Sequence, residues 1–69
     1  MFIVTCINQG YLESTWVFDT YNEAVDAVNT MLREDGTYGY WVDNHFYDDE
    51  GLDIYVNEPD LDYRKKEED

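Results

Sequence analysis

The residues with the widest chemical range fall in one stretch, "WVDNHFYDDEGLDIYVNEPD", residues 41–60. It holds the one histidine, His45, with Asp43, Asp53 and the Asp48-Asp49-Glu50 run close by. An imidazole beside two carboxylates offers one nitrogen and two oxygen ligands for a metal, or the parts of a general acid–base pair. The spacing favours neither use. It has no HExxH or CxxC pattern, and "DDEGLD" lacks the alternating ligands and terminal Glu of a calcium loop. Acid–base work needs a shielded pocket that shifts pKa values, whereas Asp48 and Asp49 fall at the tip of an expected turn. The single cysteine, Cys6, lies in an apolar run, where it reads as a small core residue. Glycines 36 and 39 flank "TY" and form no phosphate loop. The expectation is a chain with no catalytic, metal or cofactor site.

The elements that must position these residues follow from periodicity. Phe2 to Asn8 is rich in β-branched residues and reads as a strand. Gln9-Gly10-Tyr11-Leu12 supplies a hairpin turn, and Glu13 to Asp19 returns as the second strand. Thr20-Tyr21-Asn22-Glu23 fits a capping box. Behind it Ala24, Val25, Ala27, Val28, Met31 and Leu32 recur with the period of one helix face, and Gly36 is placed to end the helix. Two more strands follow, Tyr38 to Tyr47 and Leu52 to Asn57, joined by Asp48-Asp49-Glu50-Gly51. Pro59 has no amide donor and stops the pairing. The expected fold is α+β: a small antiparallel sheet in ββαββ order with one helix on one face. Residues 1–58 form the domain. Residues 59–69 form a charged tail, as a short helical turn or a frayed end.

Strand alternation then divides the second hairpin. Tyr40, Val42 and Phe46 are expected to face the helix with Leu52, Ile54 and Val56. Trp41, Asp43, His45 and Tyr47 are expected on the open face with Asp53, Tyr55 and Asn57. A slip of one residue would exchange the two faces. The bland reading of the open face is a solvated surface; Trp41, Tyr47 and Tyr55 together exceed what solubility requires and are typical interface anchors.

Charge narrows the partner. Seventeen Asp and Glu against four Lys and Arg give a net charge of −13. Direct binding to nucleic acid or an anionic membrane is disfavoured, since those ligands need a basic footprint. The complement is a basic protein surface. From Asp43 to Asp69, eleven of twenty-seven residues are acidic and three are basic, so the negative charge is concentrated in that stretch. Carboxylates on a rigid sheet could occupy a groove built for phosphates, with binding that weakens in salt. The expected contact residues are Trp41, Asp43, His45, Tyr47, Asp48, Asp49, Glu50, Asp53, Tyr55, Glu58, Asp60 and Asp62. A lone cysteine suits a reducing compartment such as the cytoplasm. The N-terminal apolar run is too short and unflanked by basic residues for a signal peptide or a membrane span.

In length, in charge, in the aromatic "GYWVDNHFYDDEG" and in the acidic "NEPDLDY" beyond it, the chain resembles the small acidic phage-encoded inhibitors of host defence nucleases, the anti-restriction and anti-CRISPR proteins. The resemblance is one of composition over the whole chain and implies a non-enzymatic inhibitor or regulator. It would act by DNA mimicry, occupying the nucleic-acid groove of a nuclease or other nucleic-acid-binding protein in the host cytoplasm. The alternative is an assembly module that homodimerises through a sheet edge or its outer aromatic face.

Overall fold

The computed structural model describes residues 1–58. The expected tail, with Asp60 and Asp62, lies outside the described residues. Among the described residues six elements follow: β1 (Phe2–Asn8), β2 (Tyr11–Phe18), α1 (Tyr21–Asp35), β3 (Tyr40–Val42), β4 (His45–Tyr47) and β5 (Leu52–Asn57). The five strands form one antiparallel sheet in the order β2-β1-β5-β4-β3. With one helix against it, the fold is α+β. Its element order is ββαβββ, which corrects the expected ββαββ.

The correction has a local cause. Asp43 takes a φ of 54° and breaks the expected third strand into a hairpin in which Val42 faces His45 and Tyr40 faces Tyr47. Aspartate tolerates this left-handed region better than most residues, because its short side chain bonds locally. Asn44 then ties the turn down: its carbonyl accepts from the Val56 amide at 2.9 Å, and its Oδ1 accepts from the Tyr21 hydroxyl at 2.9 Å. The first hairpin uses the same device at the other end of the sheet, with positive φ at both Gln9 (52°) and Gly10 (85°) between Asn8 and Tyr11. Two such residues give the primed turn whose twist matches that of the strands.

Helix α1 forms as its sequence dictates. Thr20 is the N-cap; its hydroxyl oxygen accepts from the Glu23 amide at 3.1 Å and donates to Glu23 Oε1 at 3.0 Å. At the other end Gly36 is left-handed (φ 67°). Its amide donates to the Arg33 carbonyl, and the Thr37 amide to that of Leu32, which is a Schellman closure. The helix lies over β1, touching β2 on one side and β5 on the other. Val4, Cys6, Ala24, Val28, Leu32, Phe46, Ile54 and Val56 form the buried core between helix and sheet. Burying side chains of this size contributes about 1.5–3 kcal/mol each for the larger ones, which must offset the ordering of a short chain. No described helix is long and apolar enough to cross a membrane.

Candidate partner-binding surface

The break at Asp43 exchanges the faces of β3. Trp41 was expected on the open face as an anchor; instead it turns to the helix side. Its indole Nε1 donates to Asn29 Oδ1 at 3.2 Å, and its ring meets Phe46 edge-on at 5.6 Å. Trp41 packs against the core cluster. Tyr40 and Val42, expected to point inward, stand on the open face with more than half of their surface exposed. Asp43 sits in the turn and belongs to neither row.

On the open face His45, Tyr47, Asp53 and Tyr55 do come together. His45 pairs across the strands with Tyr55, and their rings stack at 4.3 Å with 7° between planes. Asp53 is one register step away, paired with Tyr47, and its Oδ1 lies 2.7 Å from His45 Nε2. Both members of this pair keep about a third of their surface in water (31% and 37%), so it holds ring orientation more than it stabilises the fold. Tyr47 extends the aromatic row, with its ring 5.5 Å from His45 and 5.6 Å from Tyr40. Register carries the same face onto β1 and β2, where Ile3 lies beside Val17, Thr5 beside Thr15 and Ile7 beside Leu12. Within the strands the open face thus holds a single carboxylate, Asp53, and that one is engaged by His45. It is an aromatic and aliphatic surface, not the row of acids the alternation suggested.

The acids collect at one end of the molecule. The β4–β5 turn carries Asp48, Asp49 and Glu50. Asp48 Oδ1 accepts from the Glu50 and Leu52 amides, both at 2.9 Å, so Asp48 shapes the turn that presents the other two. The C-terminus of α1 comes to the same end, and Asp35 borders one depression with Asp48, Asp49, Glu50, Gly36, Thr37 and Tyr38. Glu13 joins Asp35, Asp48 and Glu50 around the neighbouring one. Glu13 is the extra residue of β2 where the register shifts between Cys6 and Ile7, and its Oε2 accepts from Asn8 Nδ2 at 3.1 Å. Five carboxylates from three elements therefore meet, and among the described residues no Lys or Arg borders either depression. Tyr38, 90% exposed, stands at the rim. Glu58 is exposed beyond the end of β5, past Asn57 and away from this cluster.

Sequence reasoning missed Glu13 and Asp35, which are distant in the chain from residues 48–50, and it missed Tyr38 and Tyr40. The Asp43-Asn44 dipeptide between two aromatic pairs was the available signal for a tight hairpin. Cys6 is buried, and its thiol is pushed above the ordinary value by burial first and by the neighbouring Glu13 carboxylate second. The thiolate is the nucleophilic form, so the site disfavours nucleophilic chemistry. Among the described residues no three His, Cys, Asp or Glu side chains gather as a metal site. No family model, curated protein or solved structure matches the chain.

Proposed function

We propose that this protein is a small non-enzymatic inhibitor or regulator that binds a basic protein surface, of the kind a nuclease or other nucleic-acid-binding protein presents to phosphates. The observation that carries the reading is the acidic end. Glu13, Asp35, Asp48, Asp49 and Glu50 converge from β2, α1 and the β4–β5 turn with no basic residue among the described residues between them. Fields from carboxylates spaced within a screening length of about 8 Å add, and they raise the encounter rate with a cationic groove. Tyr38 borders that end, and Tyr47, the residue before Asp48, stands on the open face with Tyr40 against it; these rings supply the rigid, amphipathic contacts that slow dissociation. In this arrangement the acids steer and the tyrosines hold.

The test is a pull-down from bacterial lysate with the intact chain and with an Asp35→Asn, Asp49→Asn, Glu50→Gln triple variant. Asp48 is left untouched because it holds the turn. The native chain is expected to retain basic nucleic-acid-binding proteins at 0.1 M salt and release them at 0.5 M, and the variant to retain at least tenfold less. A captured partner should lose its nucleic acid when the native chain is added. Equal retention by native and variant chains would sink the reading.

A further inference from the structure

The edge of the sheet opposite the aromatic row is built differently, and we infer that it pairs with a second copy of this chain. Strand β2 runs for eight residues at the sheet edge, with one side of its backbone hydrogen-bonding groups unmatched by any described strand. Edge strands are ordinarily guarded by lysine, proline or short length. The other edge, β3, is three residues long. Beyond the irregularity at Glu13, the segment Ser14-Thr15-Trp16-Val17-Phe18 carries no charge, no proline and no further break in register. In a chain of net charge −13 it is the natural place for two copies to approach.

The helix side of that edge identifies the occupant. An apolar groove of about 260 Å³ runs between β2 and α1, lined by Val4, Trp16, Phe18, Ala27, Val28 and Met31. It stays open at the sheet edge, where Trp16 keeps 39% of its surface exposed. If two β2 strands pair antiparallel about a two-fold axis normal to the sheet, both helices lie on the same side. The two β1 strands are then three strand spacings apart, about 14 Å. Helices centred over them, each about 10 Å across, leave a gap too narrow for another helix. Side chains fill that gap, and Trp16 and Phe18 of each copy supply the rings. The five-residue segment, about 17 Å long, with sheet and helix layers about 20 Å thick, gives a contact of about 700 Å² in total, in the size range of weak, transient interfaces. The dimer is therefore concentration-dependent. Pairing leaves the acidic end and Tyr40, on the far edge, free.

Analytical ultracentrifugation and amide hydrogen exchange test this on the intact chain. Between about 2 and 500 µM the mass should rise from 8.2 kDa towards twice that value, and the amides of residues 14–18 should gain at least tenfold protection over the same range. Salt should favour the dimer, because like charges repel and screening shortens from about 10 Å at 0.1 M to about 3 Å at 1 M. Binding of a basic partner responds in the opposite sense, so failure of one proposal leaves the other standing. A Thr15→Asp, Val17→Asp variant alters two exposed positions and should remain monomeric with an unchanged circular dichroism spectrum. A monomer at every concentration and salt overturns the inference. So does a dimer whose protection maps to the open face or to β3, or one that the double variant still forms.

Discussion

Substituting Gly39 with alanine tests how the aromatic row is held. A Cβ built on Gly39 would lie 2.3 Å from the Tyr47 carbonyl oxygen and 2.6 Å from the Phe46 ring. The first contact is with backbone, which cannot rotate away, so β3 must shift from β4. The cost has a ceiling, because the chain can always release β3 altogether. Release forfeits the Trp41–Asn29 hydrogen bond, about 1 kcal/mol, and the Trp41–Phe46 and Tyr40–Tyr47 ring contacts, about 1 kcal/mol each. Release also exposes the apolar area Trp41 buries against the core, about 2 kcal/mol more, so the expected loss is at most about 5 kcal/mol, confined to one edge, while Val4, Ile54 and Val56 stay packed. Urea unfolding followed by Trp41 fluorescence in a Trp16→Phe background reads this directly. Trp41 should be more accessible to acrylamide before the main transition, and binding of a basic partner should weaken without a change in its salt slope. Unchanged stability and unchanged quenching would refute the close approach at Gly39 and the placement of Trp41 against the helix.

Thr20→Ala removes the acceptor for the Glu23 amide and the donor to its carboxylate, and should cost about 1 kcal/mol by urea unfolding, with Thr20→Ser restoring most of it. Cys6 gives a pH prediction. Its folded pKa is raised, so the protonated thiol contributes stability that is fully present below the ordinary value of 9.0 and is lost as the pH climbs through the folded value. The stability of the native chain should therefore fall more steeply above pH 9 than that of Cys6→Ala, and parallel profiles would contradict the assignment.

What the sequence made legible was local. The capping residues of α1, its apolar face and the alternation of β5 each depend on neighbours within a few positions, and each is found where expected. The first turn is found at Gln9-Gly10 but is tighter than the expected Gln9 to Leu12, so β2 runs from Tyr11 to Phe18 rather than from Glu13 to Asp19. The face of Trp41 hung on the single Asp43-Asn44 signal, because it depends on whether Asp43 continues a strand or turns it. One residue in the left-handed region reverses the side on which every earlier residue of the strand lies. The acidic end was half legible. Asp48, Asp49 and Glu50 are contiguous, but Glu13 and Asp35 reach them only because α1 and β1 both run towards the β4–β5 turn, where the Gln9 amide bonds the Gly51 carbonyl at 2.8 Å. Such convergence is a property of topology, and no window along the chain contains it.

Segregation of charge is what allows one short chain to hold two contact surfaces. Residues 1–58 carry twelve acids and one cation, Arg33, yet within its strands the open face shows only Asp53, and residues 14–18 show none. Had the same acids been spread evenly, repulsion would have opposed self-association at every edge, and no end would have presented a concentrated field. Gathering them at the helix C-terminus has its own cost: Asp35 and Glu34 stand where the helix dipole disfavours negative charge, with Arg33 the one compensating residue in the last turn. A fold that sets acids against its own dipole gains stability when a cation arrives there. The native chain should therefore be stabilised by a basic ligand such as spermine more than the Asp35→Asn, Asp49→Asn, Glu50→Gln variant is. The variant alone should be more stable at low salt than the native chain, since it has shed that repulsion.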